Sequence, residues 1–287
     1  EERSYDYVFR TAAHATMDNV ALGRYLKAKN VDVKTINYIN QDYAWGHDSL
    51  RDFQLTMKQL YPEATTGQDL RPKFGAGQYG TEISALMAKP ATVTHSSMWG
   101  GDLQALMLQS APRGLMKRSQ VILSAGDHVL PGLGKKMPDD VILGARGAYG
   151  LMSPDTELNR WWFSNYEKRY DVYPVQAPYR MVQAFMGLKL AVERAMEANG
   201  GKKPNSEELA AALKGSEWES PAGMITMANA NGHQAIQDTA IARTKYSDKT
   251  KRVELVEIER FPARCVNPPA DMKSEEWINS GFKGAQC

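Results

Sequence analysis

At 287 residues the chain exceeds one typical domain, and its 43% hydrophobic content is enough for a substantial core. A net charge of +2, with acids and bases interleaved and no Lys/Arg stripe, excludes the electrostatic footprint of a nucleic-acid binder. No apolar run approaches the ~18 residues a membrane span requires. No signal-peptide pattern opens the sequence, which reads as cytosolic residence or a mature, processed form.

In chain order, residues 17–29 predict a helix with Met17, Val20, Ala21 and Tyr25 on one side. "VKTINYIN" (33–40) predicts a strand, and "HDSLRDFQLTMKQL" (47–60) a helix that Pro62 stops. A weak strand near 64–69 precedes a helix over 78–88, then a strand over 91–97 and a helix over 101–111. "QVILS" (120–124) and "VILGA" (141–145) are continuous apolar runs, as strands buried on both faces should be. Such alternation predicts an α/β fold with a mostly parallel sheet. After Gly150 the character changes. Long helical patterns cover 155–170 and 178–198, and a short helix over 206–215 carries Ser206 as its cap. Two β-segments flank the turn "NANG", "RVELVEIE" (252–259) is a last strand, and a Pro-rich tail closes the chain.

Gly75, Gly77 and Gly80 match G-x-G-x-x-G, but the residues before them, "LRPK", do not form the strand that a dinucleotide fingerprint needs. The stretch reads as a surface loop entering a helix. A nucleotide-dependent enzyme built on Gly75–Gly80 is the weaker alternative. His95 and Ser96 are adjacent on a strand and face opposite ways, so with Asp102 they make no catalytic constellation. The five histidines show no metal-ligand spacing. No enzyme class, metal or cofactor emerges.

Three strand ends carry residues suited to ligand contact, and open α/β sheets bind ligands beyond the carboxyl ends of their strands. The loop after "INYIN" presents Tyr43 and Trp45. The one after "VTHSS" presents Trp99, with Ser96 and Ser97 nearby, and the one after "VILS" presents Asp127 and His128. This composition suits a small organic ligand with an apolar body and a polar or cationic group. Arg146 reads as a surface or hinge ion pair, or as a contact for a ligand carboxylate. Cys265 and Cys287 read as a disulfide stapling the tail, with free thiols as the alternative; a bridge places the protein in an oxidising compartment.

"YVFRTA" (7–12), "INQDYAWGHDSLRDF" (39–53), "ISALMAKPATVTHSSMWGGDLQALMLQSAPRGL" (83–115) and "SPAGMITMANANGHQAIQDTAIARTK" (220–245) resemble, in order, the extracytoplasmic solute-binding proteins of ABC importers. The branch is the one for branched-chain amino acids and amides, with a type I periplasmic binding fold of two Rossmann-like lobes joined by three crossing strands. The resemblance implies a first crossing at Arg10–Thr11, with most of the first lobe outside residues 1–287. Residues 11–150 would form the second lobe, 151–235 the rest of the first, and 236–287 the return strands and tail. It further implies pocket aromatics at Trp45 and Trp99, an ammonium-receiving acid at or beside Asp127, and a contact within Gln176–Tyr179. Tyr43, Ser97 and Tyr179 complete the expected site. The implied partners are an amino acid or organic carboxylate and membrane permease subunits, in the periplasm. Two tryptophans in place of tyrosines make an aromatic or larger carboxylic acid a serious competitor to a branched-chain amino acid. A ligand-sensing receptor domain of the same fold is the other reading.

Overall fold

The computed structural model describes residues 5–12 and 14–287. Its larger body alternates strand and helix: α1 (Ala15–Ala28), β1 (Thr35–Ile39), α2 (Ala44–Leu60), β2 (Thr65–Leu70), α3 (Gly80–Ala88), β3 (Val93–Ser96), α4 (Gly100–Ser110), β4 (Gln120–Leu123), the single turn α5 (Leu130–Leu133) and β5 (Ile142–Gly144). Helices α6 (Glu157–Tyr170), α7 (Gln176–Ala198) and α8 (Ser206–Leu213) follow, with strands β6 (Glu217–Ser220), β7 (Gly223–Asn229) and β8 (Gln234–Ile236). The chain then adds β9 (Thr239–Ser247), β10 (Arg252–Phe261) and the short helices α9 (Ala263–Val266) and α10 (Ser274–Asn279).

The expected mostly parallel sheet is present. Seven strands run in the order β10-β9-β5-β4-β3-β1-β2. The five from β2 to β5 are parallel to their neighbours, and β9 and β10 attach antiparallel. Parallel neighbours need crossovers, and the helices supply them on both faces. Each face therefore has its own core. One gathers Ile83, Leu103, Leu123 and Tyr149; the other gathers Met17, Tyr25, Phe53 and Trp277. Beneath α1, His95 is fully buried with Phe53 stacked on it at 4.1 Å, and its Nε2 lies 2.9 Å from Ser124 Oγ. Burial pulls this imidazole down to about 3, so it is neutral and serves the core. Ser96 Oγ accepts from Met98 N–H at 3.2 Å, so the two neighbours part as strand geometry requires.

The smaller body is a three-stranded antiparallel sheet, β6-β7-β8, with α6 to α8. β6 is absent from the sequence-based reading because "EWES" is four residues long with only Trp218 and Ser220 turned inward. The second β-segment read after "NANG" proves to be two strands, β8 and β9, which belong to different sheets. The cap of α8 is Asn205 rather than Ser206. Asn205 Oδ1 accepts from Glu208 N–H at 2.9 Å, the Glu208 carboxylate accepts from Asn205 N–H at 2.8 Å, and Ser206 is already helical. Cys265 and Cys287 form a disulfide that ties the tail across α9.

Three segments pass between the bodies: around residues 10–12, 146–156 and 237–239. Buried amides tie them together. Gln183 Nε2 donates to Thr11 O and, at 3.0 Å, to Gln237 Oε1, and the Tyr149 hydroxyl lies 3.1 Å from both Gln183 Oε1 and Gln237 Oε1. Gln234 Nε2 donates to Ala12 O at 2.9 Å, beside the bridge that pairs Arg10 with Gln234.

Candidate functional site

The strand order β2-β1-β3 reverses the direction in which the sheet is built, which opens a crevice at the carboxyl ends of β1 and β3. A cavity of about 360 Å³ occupies it. Tyr43 and Trp45 enter from the turn after β1, Trp99 from the turn after β3, and His128 and Arg146 from the ends of β4 and β5. The opposite wall comes from the smaller body, as Gln176, Ala177 and Arg180 in the first turns of α7.

The aromatic wall is held in place. Trp45 Nε1 donates to Ser97 O at 2.9 Å, and Trp99 Nε1 donates to the Tyr43 hydroxyl. Phe74 packs on both Tyr43 (5.1 Å between centroids) and Trp99 (6.1 Å). Gly46 permits the turn behind Trp45, because a Cβ there would sit 1.9 Å from Gln41 O. The cationic side is equally specific. Arg146 has a left-handed backbone (φ 61°), lies 4.0 Å above the Trp45 ring, and its Nε donates to Asp18 Oδ2 at 3.3 Å. Burial raises Asp18 to about 7, against the pull of Arg146.

A family model described as "periplasmic binding protein" matches residues 1–251. The chain belongs to the periplasmic binding protein family. Such proteins hold solutes rather than transform them, and this chain is a binding protein, not an enzyme. Among proteins of curated function none matches. Among solved structures, a solute-binding protein of an ABC transporter from Rhodopseudomonas palustris BisB5, in complex with 3,4-dihydroxybenzoic acid, is similar at 22% identity and a TM-score of 0.73, covering 90% of this chain and 68% of its own. A branched-chain amino acid transporter structure from R. palustris CGA009 is 22% identical with a TM-score of 0.66 (94% and 70% covered). A leucine-binding protein from Thermotoga maritima is 14% identical with a TM-score of 0.72 (90% and 69% covered). This periplasmic binding protein therefore spans roughly two thirds of the length of those relatives.

Of the residues singled out in the sequence, the fold brings Tyr43, Trp45, Trp99, His128 and Arg146 onto the cavity, with Gln176 from the expected 176–179 contact. Ser97 lies behind them, buried, with its Oγ donating to Asn40 Oδ1 at 2.6 Å and its carbonyl holding Trp45. Asp127 is 2% exposed, and its Oδ2 accepts from Gln176 N–H at 2.8 Å, which fastens the start of α7 to the larger body. Tyr179 is fully buried, with its hydroxyl 2.6 Å from Asn159 Oδ1. Neither Asp127 nor Tyr179 lines the cavity. Arg180 and Phe74 do not figure in the sequence-based site. The signal for Arg180 was its place one helical turn after Gln176.

The glycine stretch is built for another purpose than holding phosphate. Gly75 and Gly77 take left-handed backbones (φ 75° and 66°), and Gly75 N–H donates to Asp102 Oδ2 at 2.7 Å. An acceptor carboxylate fills the place a phosphate would need. The loop thereby carries Phe74 onto the aromatic rim.

Proposed function

We propose that the chain is the solute-capturing component of an ABC-type importer, which takes an amino acid or an aromatic or other organic carboxylate into this cavity and delivers it to membrane permease subunits. The observation that carries the reading is a cavity whose two walls come from different bodies, with Tyr43, Trp45 and Trp99 on one side and α7 on the other. Residues 11–150 then act as one lobe, 151–235 as part of the other, and 236–287 as return strands and tail. A solute touching both walls stabilises their approach through contacts made only when they are close, which is how a ligand shifts a hinge equilibrium. The amide network at the three crossings would hold the hinge in register while it bends. The disulfide and the family both favour the periplasm. Neighbours crystallised with 3,4-dihydroxybenzoic acid and with benzoate, and a leucine-binding protein, set the panel worth testing.

Tryptophan fluorescence should report binding directly, since Trp45 and Trp99 line the cavity. A saturable response to one organic acid or amino acid, weakened at least tenfold in Trp45→Ala or Trp99→Ala, is the expected result. Affinity unchanged in both variants would place the solute elsewhere and sink the reading.

A further inference from the structure

Arg180 lines the cavity, is largely buried, and among the described residues has no hydrogen bond or ion pair for its guanidinium. Its near neighbour in charge is a second cation, Arg146, which is already engaged by Asp18. An unpaired, partly desolvated guanidinium facing another is costly unless an anion fills the space between them. Among the described residues, no aspartate or glutamate lines the cavity.

The neighbouring polar groups point the same way. Gly100 N–H donates to His128 Nε2 at 2.7 Å, so that nitrogen carries the lone pair and the proton of the neutral ring sits on Nδ1. The Gln176 side-chain amide approaches Nδ1 at 2.9 Å, and a donor there requires the amide oxygen. The amide NH2 is then left for the other position, which is buried and without a partner among the described residues. Of the three helices that begin at the cavity, α2 starts without a side-chain cap and adds its positive end, whereas the first N–H of α4 is taken by His128 and that of α7 by Asp127.

We infer that the cavity selects an aromatic carboxylate over a zwitterionic amino acid, with Arg180 and the Gln176 amide receiving the carboxylate and the ring lying against Trp45 and Trp99. This rests on the proposed function and narrows it. A planar carboxylate matches the guanidinium fork and accepts from both donors. An α-ammonium group would meet two arginines and an amide NH2, with no carboxylate on the wall to receive it.

The test uses the full chain and four probes: benzoate, 4-hydroxybenzoate, benzamide and leucine, followed by tryptophan fluorescence. Expected are saturable binding of one or both acids, no binding of benzamide or leucine, and about 10- to 100-fold weaker acid binding in Arg180→Gln. Arg180→Lys should lose less, and the thermal midpoint of both variants reports that they fold. Acid binding insensitive to Arg180→Gln in a folded variant overturns the assignment of Arg180. Leucine binding in preference to the acids overturns the ligand class and leaves solute capture standing. Silence to all four overturns both readings.

Discussion

The two bodies of this protein obey the same patterning rules and differ in how far those rules are satisfied. In the larger body β1, β3, β4 and β5 are buried almost throughout, and Met17, Tyr25, Phe53, Ile83 and Trp277 have no exposed surface. In the smaller one the core proper is Trp218, Ile225, Met227 and Ala235. Its long helix α7 carries apolar residues on two faces. Gln183, Gly187 and Ala191 face inward, and Gly187 has no room for a Cβ because the Trp218 ring would lie 2.6 Å from it. Met181, Phe185 and Leu188, spaced four and three residues apart on another face, are 59%, 62% and 46% exposed. A helix with two apolar stripes is patterned for two neighbours, and the described residues supply one.

The comparison breaks most visibly at Phe53. Its ring stacks on His95 and meets Tyr38 edge-on at 6.4 Å, with no exposed surface. Phe53→Ala should cost about 3–5 kcal/mol of unfolding free energy, because the rigid sheet behind it cannot collapse into the space. Chemical denaturation measures this. A loss near 1 kcal/mol would mean that the larger body is no better packed than the smaller.

The larger body was also the more legible in sequence. β4 and β5 are buried on both faces, so an unbroken apolar run is their only possible pattern, and α2 shows its Leu50, Phe53, Met57 spacing because one face alone is covered. β6 escaped because two inward residues in four leave no period to detect, and the split between β8 and β9 escaped because it depends on which sheet each joins. The site divides in the same manner. Tyr43, Trp45 and Trp99 follow strands directly, so sheet topology alone places them. Arg180 reaches the cavity only because α7 crosses from the other body, fastened by Asp127, and nothing local in "APYRM" announces that docking.

Asp18 tests the seam where the bodies meet. Burial raises it to about 7, while Arg146 and, more weakly, Arg180 pull it down and Asp127 pushes it up. In the unfolded chain the same carboxyl titrates near ~4. Between these values the folded protein holds a proton that the unfolded chain has released, so the contribution of Asp18 to stability is fully present below about pH 4, falls as pH rises, and is lost above about pH 7. Asp18→Asn removes that titration. The stability of the variant relative to wild type should therefore rise by roughly 1–3 kcal/mol between pH 4 and pH 7. A flat difference would show that Arg146 keeps Asp18 ionised throughout, and would make the seam a permanent ion pair.

The smallest effect is expected where the two bodies differ most. Phe185→Gln exchanges a large apolar side chain for a good helix former at a position 62% exposed, so it removes little burial and no packing. Its unfolding free energy should stay within about 0.5 kcal/mol of wild type, against the several lost at Phe53. Measuring both at two protein concentrations sharpens the contrast. A contiguous stripe of Met181, Phe185 and Leu188 is the sort of surface that associates, and association would stabilise the wild type as concentration rises while leaving the variant unmoved. If Phe185→Gln instead cost as much as Phe53→Ala at every concentration, the stripe would have to be covered within a single molecule, and the difference between the two bodies would vanish.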